Sequence, residues 1–183
     1  MRLWLATGNA HKVTEVEEIL GGGYEVVAQD TGVEETGGTF EANALLKARA
    51  LAAVTGEVAV ADDSGIEIDH LEGAPGIQSA RWTEEGDWIP RVLRELQGVA
   101  PEGRGCRYVC AAAVVWPDGR EAVVRGEVEG EIVDAPRGTG GFGYDPIVAP
   151  REGDGRTFAE MSTAEKHAIS HRARAFTLLT QVL

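Results

Sequence analysis

A chain of 183 residues, 43% hydrophobic and 26% charged, is sized for one substantial core or two lobes. A formal net charge of −13 without any Lys/Arg cluster excludes the basic stripe that nucleic acid or an anionic membrane requires. No apolar run nears the ~20 residues that cross a bilayer, and the N-terminus lacks the basic, apolar and small-residue regions of a signal peptide, so a cytoplasmic protein is expected.

The first predicted element is a short apolar strand, Leu3, Trp4, Leu5 and Ala6, broken by Thr7-Gly8-Asn9. From Lys12 onward Val13, Val16, Ile19 and Leu20 recur at helical spacing until three glycines stop the pattern. Residues 24–28 read as a second strand. Thr39 caps a helix to about Val54, with Phe40, Ala44, Leu45, Ala48 and Leu51 on its buried side. Residues 58–61 form a short strand expected to end at Asp62-Asp63, and IEIDHL (66–71) alternates like another. Pro90 suits the first turn of a helix bearing Val92, Leu93 and Leu96. Residues 98–105 read as loop. CRYVCAAAVVW and REAVVRGEVEGEIV then flank Pro117-Asp118-Gly119, a hairpin turn. RGTGGFGYDP is glycine-rich loop, and either Ser162, with Glu165 in a capping box, or Ser170 starts a C-terminal helix. The order implies one α/β domain over residues 1–183 with a mixed sheet. If 106–110 is a strand, Cys106 and Cys110 lie about 13 Å apart on one face, too far for a disulfide.

The strand–turn–helix at residues 7–12 suits an anion, because N–H groups at a helix N-terminus lack partners and sit at the positive end of the dipole. Lys12 in that first turn is poorly placed for helix stability, which points to a phosphate. The chain has 14 arginines but only three lysines, Lys12, Lys47 and Lys166. Lysine is the compact point charge suited to phosphate. Glu34-Glu35 and Asp62-Asp63 offer the hard oxygen donors that Mg²⁺ shares with substrate phosphates. Phe142 and Tyr144 either clamp a planar base or anchor their loop on the core. His167 and His171 have metal-ligand spacing on a helix, but Lys166 and Arg172 beside them would repel a metal; a basic patch from Ser170, His171 and Arg172 fits an anionic or keto-bearing ligand better.

Six segments occur in series: TGNAHK (7–12), EETGGTFEANALLKA (34–48), ADDSG (61–65), GAPGIQSAR (73–81), GFGYDP (141–146) and EKHAISHR (165–172). Together they closely resemble the inosine triphosphate pyrophosphatase family, which removes non-standard purine nucleotides. The resemblance implies an elongated mixed central sheet with flanking helices, forming two lobes around a nucleotide cleft. It implies a homodimer that hydrolyses ITP, dITP and XTP to monophosphate and pyrophosphate with Mg²⁺. It assigns the triphosphate to Thr7, Gly8, Asn9, Ala10, His11 and Lys12. Glu34 or Glu35, with Asp63, would hold the metal, and Asp63 would activate water. Lys47, Ser64 and Lys166 would contact phosphate or sugar; Phe142, Gly143, Tyr144, Asp145, His171 and Arg172 would enclose the base. The rivals are a pyrophosphatase for other nucleotides and a sensor that binds without hydrolysis, against which the intact carboxylates argue.

Overall fold

Local capping chemistry decides where the helices begin. In this computed structural model, which describes residues 1–83 and 86–183, Asn9 caps α1 (Ala10–Leu20) by accepting from the His11 and Lys12 N–H groups. Thr39 accepts from the Ala42 N–H and starts α2 (Phe40–Thr55), and Gly56, at φ +68°, ends it in the left-handed conformation glycine tolerates best. The remaining helices are α3 (Trp88–Glu95), α4 (Thr163–Ile169) and α5 (His171–Thr180). Two helices stand where one was expected at the C-terminus: Ser162 and Glu165 form a capping box on α4, and extended Ser170 separates it from α5.

Strands β1 (Arg2–Leu5), β2 (Glu25–Ala28), β3 (Ala59–Ile68), β4 (Gly105–Val115), β5 (Glu121–Ile132) and β6 (Val148–Pro150) form one sheet, ordered β2-β1-β3-β4-β5-β6. It is mixed, as expected: β1 runs parallel to β2 and β3, whereas β5 and β6 are antiparallel. One expectation fails. Residues 58–61 and 66–71 are not two strands, because β3 runs through Asp62, Asp63, Ser64 and Gly65 without a break. Charge compensation from neighbouring cations, described below, lets the two acids stay inside a buried strand. The alternation then stops at Ile68, and Asp69–Leu71 is a 3-10 turn. The edge strand β6 carries no readable sequence signal.

The chain divides into two compact units, residues 1–64, 110–126 and 171–183, and residues 65–109 and 127–170. Each has its own core. In the first, Leu3, Leu5, Val16, Val60, Cys110, Val114, Phe176 and Leu179 pack together. In the second the core is Ile66, Ile68, Val92, Leu96, Tyr108, Ile132, Ile147 and Phe158. Both cysteines are buried and free, and burial pushes their thiols well above the ordinary value. Among the described residues no helix is long and apolar enough to cross a membrane.

Candidate active site

In the first unit β1 delivers the chain into the turn before α1. Gly8 lies close to Asp30 there: a Cβ would come 2.7 Å from Asp30 Oδ2, so that side chain would have to turn aside. Asn9 takes its N–H to Thr7 Oγ1 at 3.1 Å and turns its side chain onto the His11 and Lys12 N–H groups at 3.0 and 3.4 Å. Two of the N–H groups expected to face an anion therefore already have a cap. Lys12 compensates: its ammonium reaches Asp62 Oδ2 at 2.9 Å. The cation in the wrong turn of a helix is stabilised by a carboxylate on the neighbouring strand.

Asp62 is fully buried, and three basic groups act on it. Arg172, at the start of α5, donates to Asp62 Oδ2 at 3.3 Å and to Ser64 Oγ at 2.9 Å, and pairs with Glu15 of α1. Burial would raise the Asp62 carboxyl, but Lys12 and Arg172, with Lys47 adding, outweigh it and hold it well below the usual carboxylate range. Asp62 is a fixed anion. Arg172 and His171, expected at the base, are buried on α5, and the Arg172 guanidinium is directed at Asp62, Ser64 and Glu15.

Asp63, the next residue, behaves oppositely. Burial raises its carboxyl above the ordinary value, Lys47 and Asn43 offset this only in part, and Glu35 adds to the rise. Asn43 Nδ2 donates to Asp63 Oδ2 at 3.0 Å, and Lys47 lies 3.8 Å from Oδ1. Lys47 is bonded more closely to Glu35 Oε1, at 2.6 Å. Its ammonium is raised, because the charges of Asp62, Asp63 and Glu35 outweigh burial. The two adjacent carboxyls are thus pushed in opposite directions by their surroundings.

Glu35 and Asp63 are two carboxylates drawn to one cation. Mg²⁺ needs only one or two carboxylates when phosphate oxygens and water complete its shell, so this donor pair fits it. Among the described residues no group of three His, Cys, Asp or Glu is placed to hold a metal unaided. Of the two glutamates left open by the sequence, Glu35 contacts the cluster and Glu34 is exposed.

In the second unit the buried Asp145 carboxylate accepts from three donors. Lys166 Nζ and the Phe142 N–H reach Oδ2 at 2.8 and 2.9 Å, and the Tyr108 hydroxyl reaches Oδ1 at 3.1 Å. Gly141, at φ +66°, makes room for it, since a Cβ there would lie 2.0 Å from Asp145 Oδ2. The two aromatics divide the alternatives between them. Tyr144 anchors the loop, donating its hydroxyl to the Ser79 carbonyl at 2.8 Å and packing on Trp88. Phe142 is partly exposed, with the Lys166 ammonium 4.8 Å above its ring. His167 and His171 fall on different helices, which breaks the i, i+4 relation.

Each of the three lysines is thus paired with a carboxylate: Lys12 with Asp62, Lys47 with Glu35 and Asp63, and Lys166 with Asp145. Sequence reasoning missed Asn43, Glu15 and Tyr108. Asn43 and Lys47, four apart on a helix whose neighbouring positions are apolar, were the only available signal for the first.

Comparison with known proteins confirms the family that the six segments suggested. The Ham1 family model matches residues 3–182. A dITP/XTP pyrophosphatase of Symbiobacterium thermophilum is 53% identical over 180 residues, covering 95% of this chain and 90% of that protein. One from Streptomyces coelicolor is 51% identical, covering 100% and 96%. The Ham1 protein of Staphylococcus aureus superposes with a TM-score of 0.87 at 36% identity, covering 100% and 97% of the two chains. A nucleoside-triphosphatase, also called dITP/XTP pyrophosphatase, from Mycobacterium abscessus gives 0.78 at 42% identity, with 98% of each chain covered.

Proposed function

The chain belongs to the Ham1 family, and from that premise we propose that it is a nucleoside-triphosphate pyrophosphatase, hydrolysing ITP, dITP and XTP to the monophosphate and pyrophosphate with Mg²⁺. The observation that carries this reading is the tandem on β3, with Asp62 paired to Lys12 and Arg172 and the adjacent Asp63 held by Asn43 and Lys47 next to Glu35.

Each residue then has a task. The turn at residues 7–12 and the Lys12 ammonium bind the triphosphate, and Asp62 fixes Lys12 in place. Asp63 accepts the proton of the water that attacks the α-phosphorus. Lys47 steadies Asp63 and Glu35 and balances negative charge on the departing pyrophosphate. Ser64, held by Arg172, contacts phosphate or sugar. Glu35 and Asp63 would hold Mg²⁺, which supplies charge neutralisation and a more acidic bound water. Phe142, Gly143, Tyr144 and Asp145 recognise the base, the Tyr144 anchor and the Lys166–Asp145 pair fixing the loop that presents Phe142. A homodimer in the cytoplasm belongs to the same reading, and light scattering on the purified chain tests the dimer.

Phosphorus NMR of ITP turnover with Mg²⁺ in ¹⁸O-water is the test. The products expected are the monophosphate and pyrophosphate, with the label in the monophosphate. Orthophosphate as first product would refute attack at the α-phosphorus. Loop N–H groups of Gly143 and Tyr144 aimed at O6 would leave the 6-amino group of ATP facing donors and the 2-amino group of GTP without an acceptor. Each such unpaired group costs ~1–3 kcal/mol, so kcat/KM for ITP should exceed that for ATP and GTP by about 100-fold. Equal values for ITP and GTP would indicate a general nucleotide pyrophosphatase.

A further inference from the structure

Asn43 is fully buried in the first turn of α2, yet nothing about a helix or an apolar core calls for a carboxamide there. Both ends of its amide are used. Its Oδ1 accepts from the Gly37 N–H at 2.8 Å, and its Nδ2 donates to Asp63 Oδ2 at 3.0 Å. Gly37 lies so close that a Cβ would come within 2.6 Å of Asn43 Oδ1 and 2.7 Å of the Ala42 Cβ. The loop carrying Glu35 is therefore seated on the start of α2 at Asn43. One turn later on the same helix face, Lys47 reaches Glu35 and the other Asp63 oxygen.

We propose that Asn43 is a positioning residue for the hydrolytic step, clamping the Asp63 carboxylate and the loop that bears Glu35 into one arrangement. The inference rests on the reading of Asp63 given above. An amide suits the task because it donates to one partner and accepts from the other; no other side chain of its length does both without charge. Asparagine fixes which way the clamp points, with its acceptor to the loop and its donor to the acid.

The test uses the full chain with three variants, Asn43→Asp, Asn43→Ser and Asp63→Asn. Asn43→Asp keeps the acceptor toward Gly37 and replaces the donor toward Asp63 with a like charge. If it fails to fold by circular dichroism, Asn43→Ser carries the test. A misplacement of about 1 Å at reacting groups costs about 10²-fold, so kcat for ITP should fall by about that factor while KM stays near the wild-type value. Mn²⁺ affinity of the substrate-free protein, read by electron paramagnetic resonance, should weaken as well. Adding Asn43→Ser to Asp63→Asn should lower kcat by much less than the same change does in the wild type, since the donor half of the clamp acts through Asp63. A folded variant with wild-type kcat, an undiminished Mn²⁺ affinity, or an additive loss in the double variant overturns the proposal. Full activity of Asp63→Asn instead overturns the reading of Asp63, which the single Asn43 variants leave separately measurable.

Discussion

At the scale of single residues, Lys12 shows how an unfavourable local choice is reversed by one contact. Considered on α1 alone, a cation in the first turn is destabilising, and Lys12→Ala should leave stability unchanged or slightly improved. The 2.9 Å pair with buried Asp62 changes the sign. Breaking a buried pair by removing one partner typically costs 3–5 kcal/mol; because Arg172 still faces Asp62, we expect about 1–3 kcal/mol for Lys12→Ala. Urea unfolding at pH 7 measures it, and kcat/KM for ITP should fall in the same variant. Asp63→Asn should behave differently. Loss of a general base costs about 10²–10⁴-fold in turnover, while the unfolding midpoint holds or rises, because a buried carboxylate with raised proton affinity is itself unfavourable when ionised. Activity within tenfold of wild type would remove Asp63 from the mechanism.

At the scale of elements, α5 depends on a glycine in another element. A Cβ at Gly126 of β5 would lie 2.3 Å from the His171 carbonyl oxygen and 2.5 Å from the Ala175 N. These are backbone atoms and cannot swing aside, so Gly126→Ala must push the start of α5 away from the strand. Overpacking of this kind costs about 1–3 kcal/mol. The same helix start carries Arg172, so the Asp62 and Ser64 contacts should loosen with it. A lower melting temperature accompanied by reduced kcat is the expected result. A lower melting temperature with unchanged kcat would show that Arg172 keeps its partners despite the shift.

At the scale of the whole molecule, the −13 net charge and the buried Asp62 act in opposite directions as pH falls. Self-repulsion eases as carboxylates protonate. Asp62 is held below its ordinary value of 3.8, so its stabilisation is complete above that pH and is lost as pH drops from there toward the folded value. Asp62→Asn isolates this part. It leaves Lys12 and Arg172 without their common anion, a cost of about 3 kcal/mol at pH 7. The gap to wild type should stay constant from pH 7 to 5 and narrow below pH 4, as measured by denaturant unfolding at each pH. A gap that is the same at pH 3 and pH 7 would mean that the Asp62 carboxyl is not held low.

The chain's local signals determined most of the elements and the residue types of the site. Strand and helix periods, the Thr39 and Ser162 caps and the glycine stops are short-range physics, readable without knowing the fold. So was the choice of three lysines among 17 basic residues, because residue choice is visible where geometry is not. Only the tertiary structure decided that β3 runs on through Asp62 and Asp63: a local reading sees two charges ending an apolar strand, and the cations that allow them inside come from α1, α2 and α5. It also decided that Arg172 faces Asp62, that Tyr144 anchors while Phe142 stays partly exposed, and that Asn43 bridges Gly37 and Asp63. Those pairings join residues 6 to 110 positions apart. The energy of a buried charge or amide depends on which partner meets it, and spacing along one strand or helix carries no record of that partner.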